Sequence, residues 1–281
     1  MIKSYLGFRR RWFYGLLSVV MASTIVITTP QPGYSQSWVN WILQGVQVIQ
    51  LSTLSDAQEV KYGQQINQEL INSGQANISR NKELNQTVQR IGQRLAKNSS
   101  RPKLPFTFQV VDDDAVNAFA TMGGFVYINT GLMATAENEA ELASVVAHEI
   151  GHITQRHSIT QMRDVAISQG LMSAAGLSEN NIVQLGVQLG VNLPHSREAE
   201  LEADQVGLKT LQRAGYAPIG MVTFMKKLMQ QGGGATPAFL STHPATSQRV
   251  KALSQSIDPK IANQGDGLNN QAYQQQIRRF L

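Results

Sequence analysis

His148 and His152 stand four residues apart, with Glu149 beside the first, in the run His148-Glu149-Ile150-Gly151-His152. Positions four apart differ by only about 40° around a helix axis, so two imidazoles so spaced share one face and can grip a single metal ion. Glu149, one step round, can hold a water against that ion. A catalytic zinc takes three protein ligands and keeps one open position. The pattern therefore predicts metal-assisted hydrolysis and asks for a third ligand elsewhere. The motif needs a helix, and the residues ahead of it supply one. Thr135 or a neighbour can cap it, Glu137, Glu139 and Glu141 suit the positive end, and Leu142, Val145 and Val146 form an apolar face. A helix is expected over 137–157, with Gly151 a mild penalty inside it.

A second acidic cluster, Glu198, Glu200, Glu202 and Asp204, follows Ser196, which reads as a helix N-cap after Pro194. Glu200 and Asp204 share a face. Glu198 and Glu202 point about 160° away from that face's ligand position. Glu200 can bind the metal while Asp204 accepts the free ring N–H of a ligating histidine and fixes its tautomer. Taken alone, the four acids read sooner as a solvated helix start near the positive dipole end; beside the two histidines the metal reading prevails. His157 does not complete a metzincin motif. It stands five residues past His152 instead of six, and Gln155 occupies the position that requires glycine. On a continued helix it lies about 180° from His148, so it reads as structural.

The combination of His148-Glu149-Ile150-Gly151-His152, Ser196-Arg197 with Glu200, Glu202, Ala203 and Asp204, and Thr242-His243-Pro244 resembles the BepA/Oma/HtpX family of zinc metallopeptidases, which are gluzincins. Further matches are Glu59-Val60-Lys61-Tyr62-Gly63, the segment Asn117 to Tyr127 with its Gly123-Gly124 pair, and Gly215-Tyr216 with Pro218. The likeness covers most of the chain from residue 55 to residue 255 and is nearer the soluble periplasmic branch than the multi-spanning one. It implies an α+β fold, a mostly helical zincin-like protease domain with a small antiparallel sheet beside the active-site helix. It implies one zinc ion per chain held by His148, His152 and Glu200, with Asp204 supporting a ligating histidine. Glu149 would be the general base and a zinc-held water the nucleophile. His243 matches a histidine on a loop near the metal. It either fills the open position and silences the enzyme or, protonated, steadies the oxyanion. Arg249 falls at a usually basic position, paired with an active-site carboxylate or left as a surface charge. His195 departs from the family, where an aromatic residue is common; it reads as a substitute of aromatic size, with an accessory metal or proton-transfer role as the alternative.

The implied activity is that of an endopeptidase of the cell envelope acting on misfolded or unassembled proteins. Two rivals stand beside it: a chaperone-like client binder with a latent, His243-gated metal site, and a membrane-associated protease with one dedicated substrate. Substrate grip is expected from strands ahead of the active helix. Phe106–Asp112 alternates, and Gly124–Asn129 reads as a second strand with the glycine pair as the turn. Main-chain recognition by β-augmentation would place Gly124, Phe125, Val126 and Tyr127 against substrate; the same alternation also allows plain core packing.

The net charge of +5 is misleading as a guide to partners. Lys3, Arg9, Arg10 and Arg11 lie in the first eleven residues, and residues beyond 35 carry 20 basic against 19 acidic side chains. No basic-aromatic patch supports nucleic-acid binding. Residues 1–35, a basic start followed by the apolar run Trp12–Thr28, read as a signal peptide or an uncleaved anchor. The chain is thus expected to be exported, in the periplasm or membrane-associated and facing it. The absence of cysteine excludes a thiol protease and a lipoprotein anchor. Residues 36–55 form an amphipathic segment suited to a membrane surface or to packing on the protease body. The protease domain is assigned to 56–257, with a helical hairpin over 159–193 and a glycine-rich loop, Gly232–Pro237, before His243. Residues 258–281, rich in Gln and Asn, are expected to be a loose polar tail.

Overall fold

A computed structural model describes residues 48–171, 176–192, 194–231, 237–244, 247–277 and 279. These fall within one of two compact units, Val48–Leu281; residues 1–35, expected as a signal peptide or anchor, most of the amphipathic segment and residues 232–236 lie outside the described residues. In chain order the elements are β1 (Val48–Ile49), α1 (Asp56–Asn72), α2 (Lys82–Lys97), β2 (Thr107–Val111), β3 (Ala118–Thr121), β4 (Phe125–Asn129), α3 (Thr130–Thr135), α4 (Glu139–Thr154), α5 (His157–Ser168), β5 (Leu177–Ser178), α6 (Glu179–Asn192), α7 (Arg197–Arg213), α8 (Ile219–Gln231), α9 (Ala238–Thr242), α10 (Ser247–Ser256) and α11 (Asn270–Ile277). The architecture is α+β, mostly helical.

Helix α4 is the axis of the fold. Asn138 caps it, its side chain accepting from the Glu141 N–H, and Glu139 and Glu141 sit in the first turn where the helix dipole favours acids. Every residue from Ala140 to Thr154 is buried, so α4 is enclosed on all sides rather than lying on a surface. It ends three residues short of expectation. Arg156 adopts φ 58°, ψ 33°, and a new helix begins at His157. The left-handed residue is steadied by Arg156 Nη2 donating to Asp56 Oδ1 at 2.6 Å and by its Nε 3.2 Å from Glu59 Oε2. Such a conformation in a non-glycine residue costs of order 1 kcal/mol and persists only where its surroundings hold it.

The three-stranded sheet has the order β2-β4-β3. It is mixed, not antiparallel: β2 pairs with β4 in parallel, Thr107 opposite Phe125, and β3 pairs antiparallel, Phe119 opposite Tyr127. Period-2 alternation divides the core. Phe108, Val110, Ala118, Ala120, Val126 and Ile128 face the cluster formed with α2, α4, α7 and α8. Val111, Phe119, Phe125 and Tyr127 face the cluster formed with α1, α5 and α6, where the Phe119 and Tyr127 rings stack at 4.5 Å.

Of the two settings open to the amphipathic segment, its described end takes the packed one: Val48–Ile49 pairs with Leu177–Ser178, and Leu51 and Leu54 bury against the body. Among the described residues after 258, Asn270–Ile277 is helical and packed, not loose. Tyr273 and Ile277, four apart on α11, are buried in the main core, and the Tyr273 hydroxyl donates to the Met133 carbonyl at 2.8 Å. Two apolar residues at helical spacing outweigh the polar composition around them.

Candidate active site

Helices α4 and α7 cross in backbone contact, and glycine makes that possible. A Cβ on Gly151 would stand 2.7 Å from the Ala203 carbonyl oxygen, and one on Gly207 would stand 3.0 Å from that of Ala147. The close crossing sets the histidines of α4 against the acids of α7. Ser196 caps α7, accepting from the Ala199 N–H, so the helix begins where Glu200 and Asp204 fall on its inner face.

The side chains of His148, His152, Glu200 and His243 each place one ligand atom within 4.8 Å of the others, all four residues buried. His148 Nε2 lies 3.0 Å from His152 Nε2, 3.5 Å from Glu200 Oε2 and 3.3 Å from His243 Nδ1. Glu200 Oε1 lies 3.3 Å from His152 Nε2 and 3.1 Å from His243 Nδ1. A tetrahedral zinc with bonds of about 2.0–2.2 Å needs ligand atoms about 3.3–3.5 Å apart, so the donor set fits such an ion in both type and spacing. Charge points the same way. Glu149, Glu200 and Asp204 are all buried, and Arg249 is the one buried guanidinium among the described residues that faces them. A divalent cation would balance the remaining negative charge. Burial alone would push the His148 imidazole down, yet Asp204 and Glu200 hold it up at about 9, which marks the pocket as one that favours positive charge.

The surrounding groups orient this set. Asp204 Oδ1 stands 3.1 Å from His148 Nδ1, which leaves Nε2 as the atom facing Glu200. Arg249, buried, donates from Nε and Nη2 to the two Asp204 oxygens at 2.7 Å each, and its Nη1 stands 2.5 Å from Glu200 Oε2. The surface-charge alternative for Arg249 is thereby excluded. Both oxygens of Glu149 are buried and without a hydrogen bond among the described residues; His243 Nε2 is 3.5 Å from one of them. Burial raises the Glu149 carboxyl above its ordinary value, since the charged form is penalised away from water.

His243 is held by its N–H donating to the Phe239 carbonyl at 2.8 Å, with its ring stacked on Phe239. His195 is stacked on the His152 ring at 4.1 Å and is pushed down to about 3, by burial first and then by His243. It therefore behaves as an aromatic plate, outside the four-residue donor group. An apolar recess lined by Val145, Met221, Phe224, Met225, Leu228 and Phe239 lies beside His148 and His243.

The substrate strand is misplaced by sequence reasoning. Phe125, Val126 and Tyr127 belong to β4, the central strand, whose main chain is paired on both sides, and Gly124 closes the turn before it at φ 96°. They cannot add a substrate strand. The sheet edge on the active-helix side is β3, Ala118–Thr121, which the segment around Asn117 signalled only as a family match. His157 was read as structural, but its Nδ1 lies 2.9 Å from His152 Nδ1; the helix break at Arg156, invisible to periodicity, brings it there.

Comparison with known proteins agrees with this geometry. The model of peptidase family M48 matches residues 82–257. The beta-barrel assembly-enhancing protease of Escherichia coli (strain K12) is 34% identical over 214 residues, covering 71% of this chain and 44% of that protein. The mitochondrial metalloendopeptidase OMA1 of Arabidopsis thaliana is 38% identical over 150 residues, covering 52% and 30%. The metalloprotease YcaL of Escherichia coli (strain K12) is 27% identical over 249 residues, covering 86% and 96%. The chain thus spans less than half the length of the first two relatives. The matched region contains every residue of the four-donor group together with Glu149, and it spans most of the chain: the chain belongs to peptidase family M48.

Proposed function

We propose that the protein is a zinc-dependent endopeptidase of the cell envelope that cuts misfolded or unassembled proteins. The observation that carries this reading is the convergence of His148, His152 and Glu200 beside a buried Glu149 carboxylate that has no other hydrogen-bond partner among the described residues. A zinc ion bound by those three residues would polarise the scissile carbonyl and lower the pKa of a water toward about 7. Glu149 takes the proton of the attacking water and passes it to the leaving amine. Asp204 keeps the His148 tautomer fixed throughout, and Arg249 holds Asp204 and Glu200 in place.

His243 fills the fourth place in the donor set, the place that substrate or water needs. We read this arrangement as the latent state of the enzyme, with His243 and its stacking partner Phe239 as the cover. Export to the envelope is supported by the basic and apolar pattern of residues 1–35 and by the name of the 34% identical relative, a protease that enhances beta-barrel assembly. No helix among the described residues is long and apolar enough to cross a membrane.

The test uses the full chain. Metal analysis should give close to one zinc per chain, and casein should be cleaved. Glu149→Gln should keep its zinc and lose at least about a hundredfold in cleavage rate, the low end of what a general base contributes. Equal cleavage by the two proteins would remove the mechanism.

A further inference from the structure

A ligating histidine binds best when its second ring nitrogen has a fixed partner, because that partner selects the tautomer and the ring orientation. His148 has Asp204. For His152 the partner is a residue that helical periodicity would send elsewhere. Arg156 ends α4 in a left-handed conformation, the chain reverses into α5, and His157 folds back beneath His152. Its Nδ1 lies 2.9 Å from His152 Nδ1, and its Nε2 lies 3.2 Å from Glu202 Oε2. Glu202 is held from its other oxygen by the side-chain amide of Gln155.

Only one arrangement of protons satisfies this chain with neutral rings. The Glu202 carboxylate can only accept, so His157 Nε2 carries its proton and His157 Nδ1 is bare. Two nitrogens at 2.9 Å need one proton between them, so it resides on His152 Nδ1. His152 Nε2 is then bare, and that is the atom 3.3 Å from Glu200 and 3.0 Å from His148 Nε2. We infer that His157 and Glu202 are positioning residues that fix the tautomer and ring orientation of His152, as Asp204 does for His148. The inference rests on the reading of His148, His152 and Glu200 as a metal site. It also gives a role to Glu202, which faces away from Glu200 on α7 and is half exposed.

The experiment measures the zinc dissociation constant of the full chain by competition with a chromophoric chelator, and the visible spectrum after cobalt substitution. His157→Leu removes the acceptor for His152 and should weaken zinc binding by about 10–100-fold. His157→Asn can place an amide oxygen near the former Nδ1 and should recover affinity to within about threefold of wild type. Glu202→Leu leaves His157 free to change tautomer and should weaken binding by about tenfold. The cobalt spectrum should shift in both Leu variants and not in His157→Asn. A role in packing alone would lower the melting temperature of the metal-stripped protein without moving the spectrum. Should His157→Leu fail to fold, Glu202→Leu decides the matter, since its side chain is half exposed. The inference is overturned if both Leu variants hold zinc within about twofold of wild type, or if His157→Asn loses as much as His157→Leu. A wild-type chain that takes up no zinc would overturn the metal-site reading together with this one, so the two failures are told apart by the wild-type measurement.

Discussion

Arg249 and Asp204 meet in a two-point ion pair inside the protein, Nε and Nη2 each 2.7 Å from a separate carboxylate oxygen, both residues 2% exposed. The same guanidinium reaches Glu200 Oε2 at 2.5 Å and donates to the Pro244 carbonyl at 3.0 Å. One side chain thus ties α7 to the segment that carries His243. Removing one member of a buried pair leaves an uncompensated charge and costs about 3–5 kcal/mol. Arg249→Leu should lose that much stability in urea unfolding. Arg249→Lys keeps the charge but not the planar fork and should fall between the two. An unchanged unfolding midpoint for Arg249→Leu would mean that the pair holds nothing together.

Gly151 offers a prediction that runs against local propensity. Alanine is about 1 kcal/mol better than glycine inside a helix, so a helix considered alone would gain from Gly151→Ala. The added methyl would sit 2.7 Å from the Ala203 carbonyl oxygen, an atom of backbone that cannot step aside. The substitution must push α4 and α7 apart, and overpacking of this kind costs about 1–3 kcal/mol. The expected outcome is a lower melting temperature together with weaker zinc binding, because the two helices carry the two halves of the donor set. A more stable Gly151→Ala protein would show that the crossing has slack.

If His243 holds the site silent, its removal should release activity. An enzyme with about one molecule in ten open gains about tenfold in apparent rate when the closed state is abolished. His243→Ala should therefore cleave casein about tenfold faster than wild type, and the double variant with Glu149→Gln should remain inactive. A loss of activity in His243→Ala would instead assign the imidazole to the oxyanion.

Local patterns carried most of the candidate metal site. His148 with His152, and Glu200 with Asp204, are each pairs four residues apart on one helix, and helix geometry alone aligns them. Arg249 stayed open between two roles because its partner lies 45 positions away and no periodicity reports such a distance. The parallel pairing of β2 with β4 was missed because β3, Ala118-Phe119-Ala120-Thr121, is too short and too uniformly buried to alternate visibly. Without β3 the two longer strands look like neighbours in a hairpin. The reversal at Arg156 was missed because the left-handed residue is an arginine held by Asp56 and Glu59, a tertiary cause with no glycine to announce it.

Glu139 supplies a prediction in pH. It opens α4, accepts from both terminal nitrogens of Arg90 at 2.7 Å each, and accepts from the Tyr216 hydroxyl at 2.9 Å. Burial would raise its carboxyl, but the Arg90 hydrogen bonds and charge outweigh burial, and the net shift is downward. A carboxylate lowered on folding contributes stability that is present above its unfolded value, about 4.3 for Glu, and is lost as pH falls through the lower folded value. Arg90 is half exposed, so solvent screening trims the contribution to about 1–2 kcal/mol. At pH 7 Glu139→Gln should be less stable than wild type by that amount. As pH falls below the ordinary carboxylate range the gap should close, because wild type then carries a neutral acid where the variant carries a neutral amide. The measurement is the difference in unfolding free energy between the two proteins across that range, in which the other carboxylates cancel. A gap that stays constant as the acid is protonated would assign the cost to the geometry of the amide and not to the charge of Glu139.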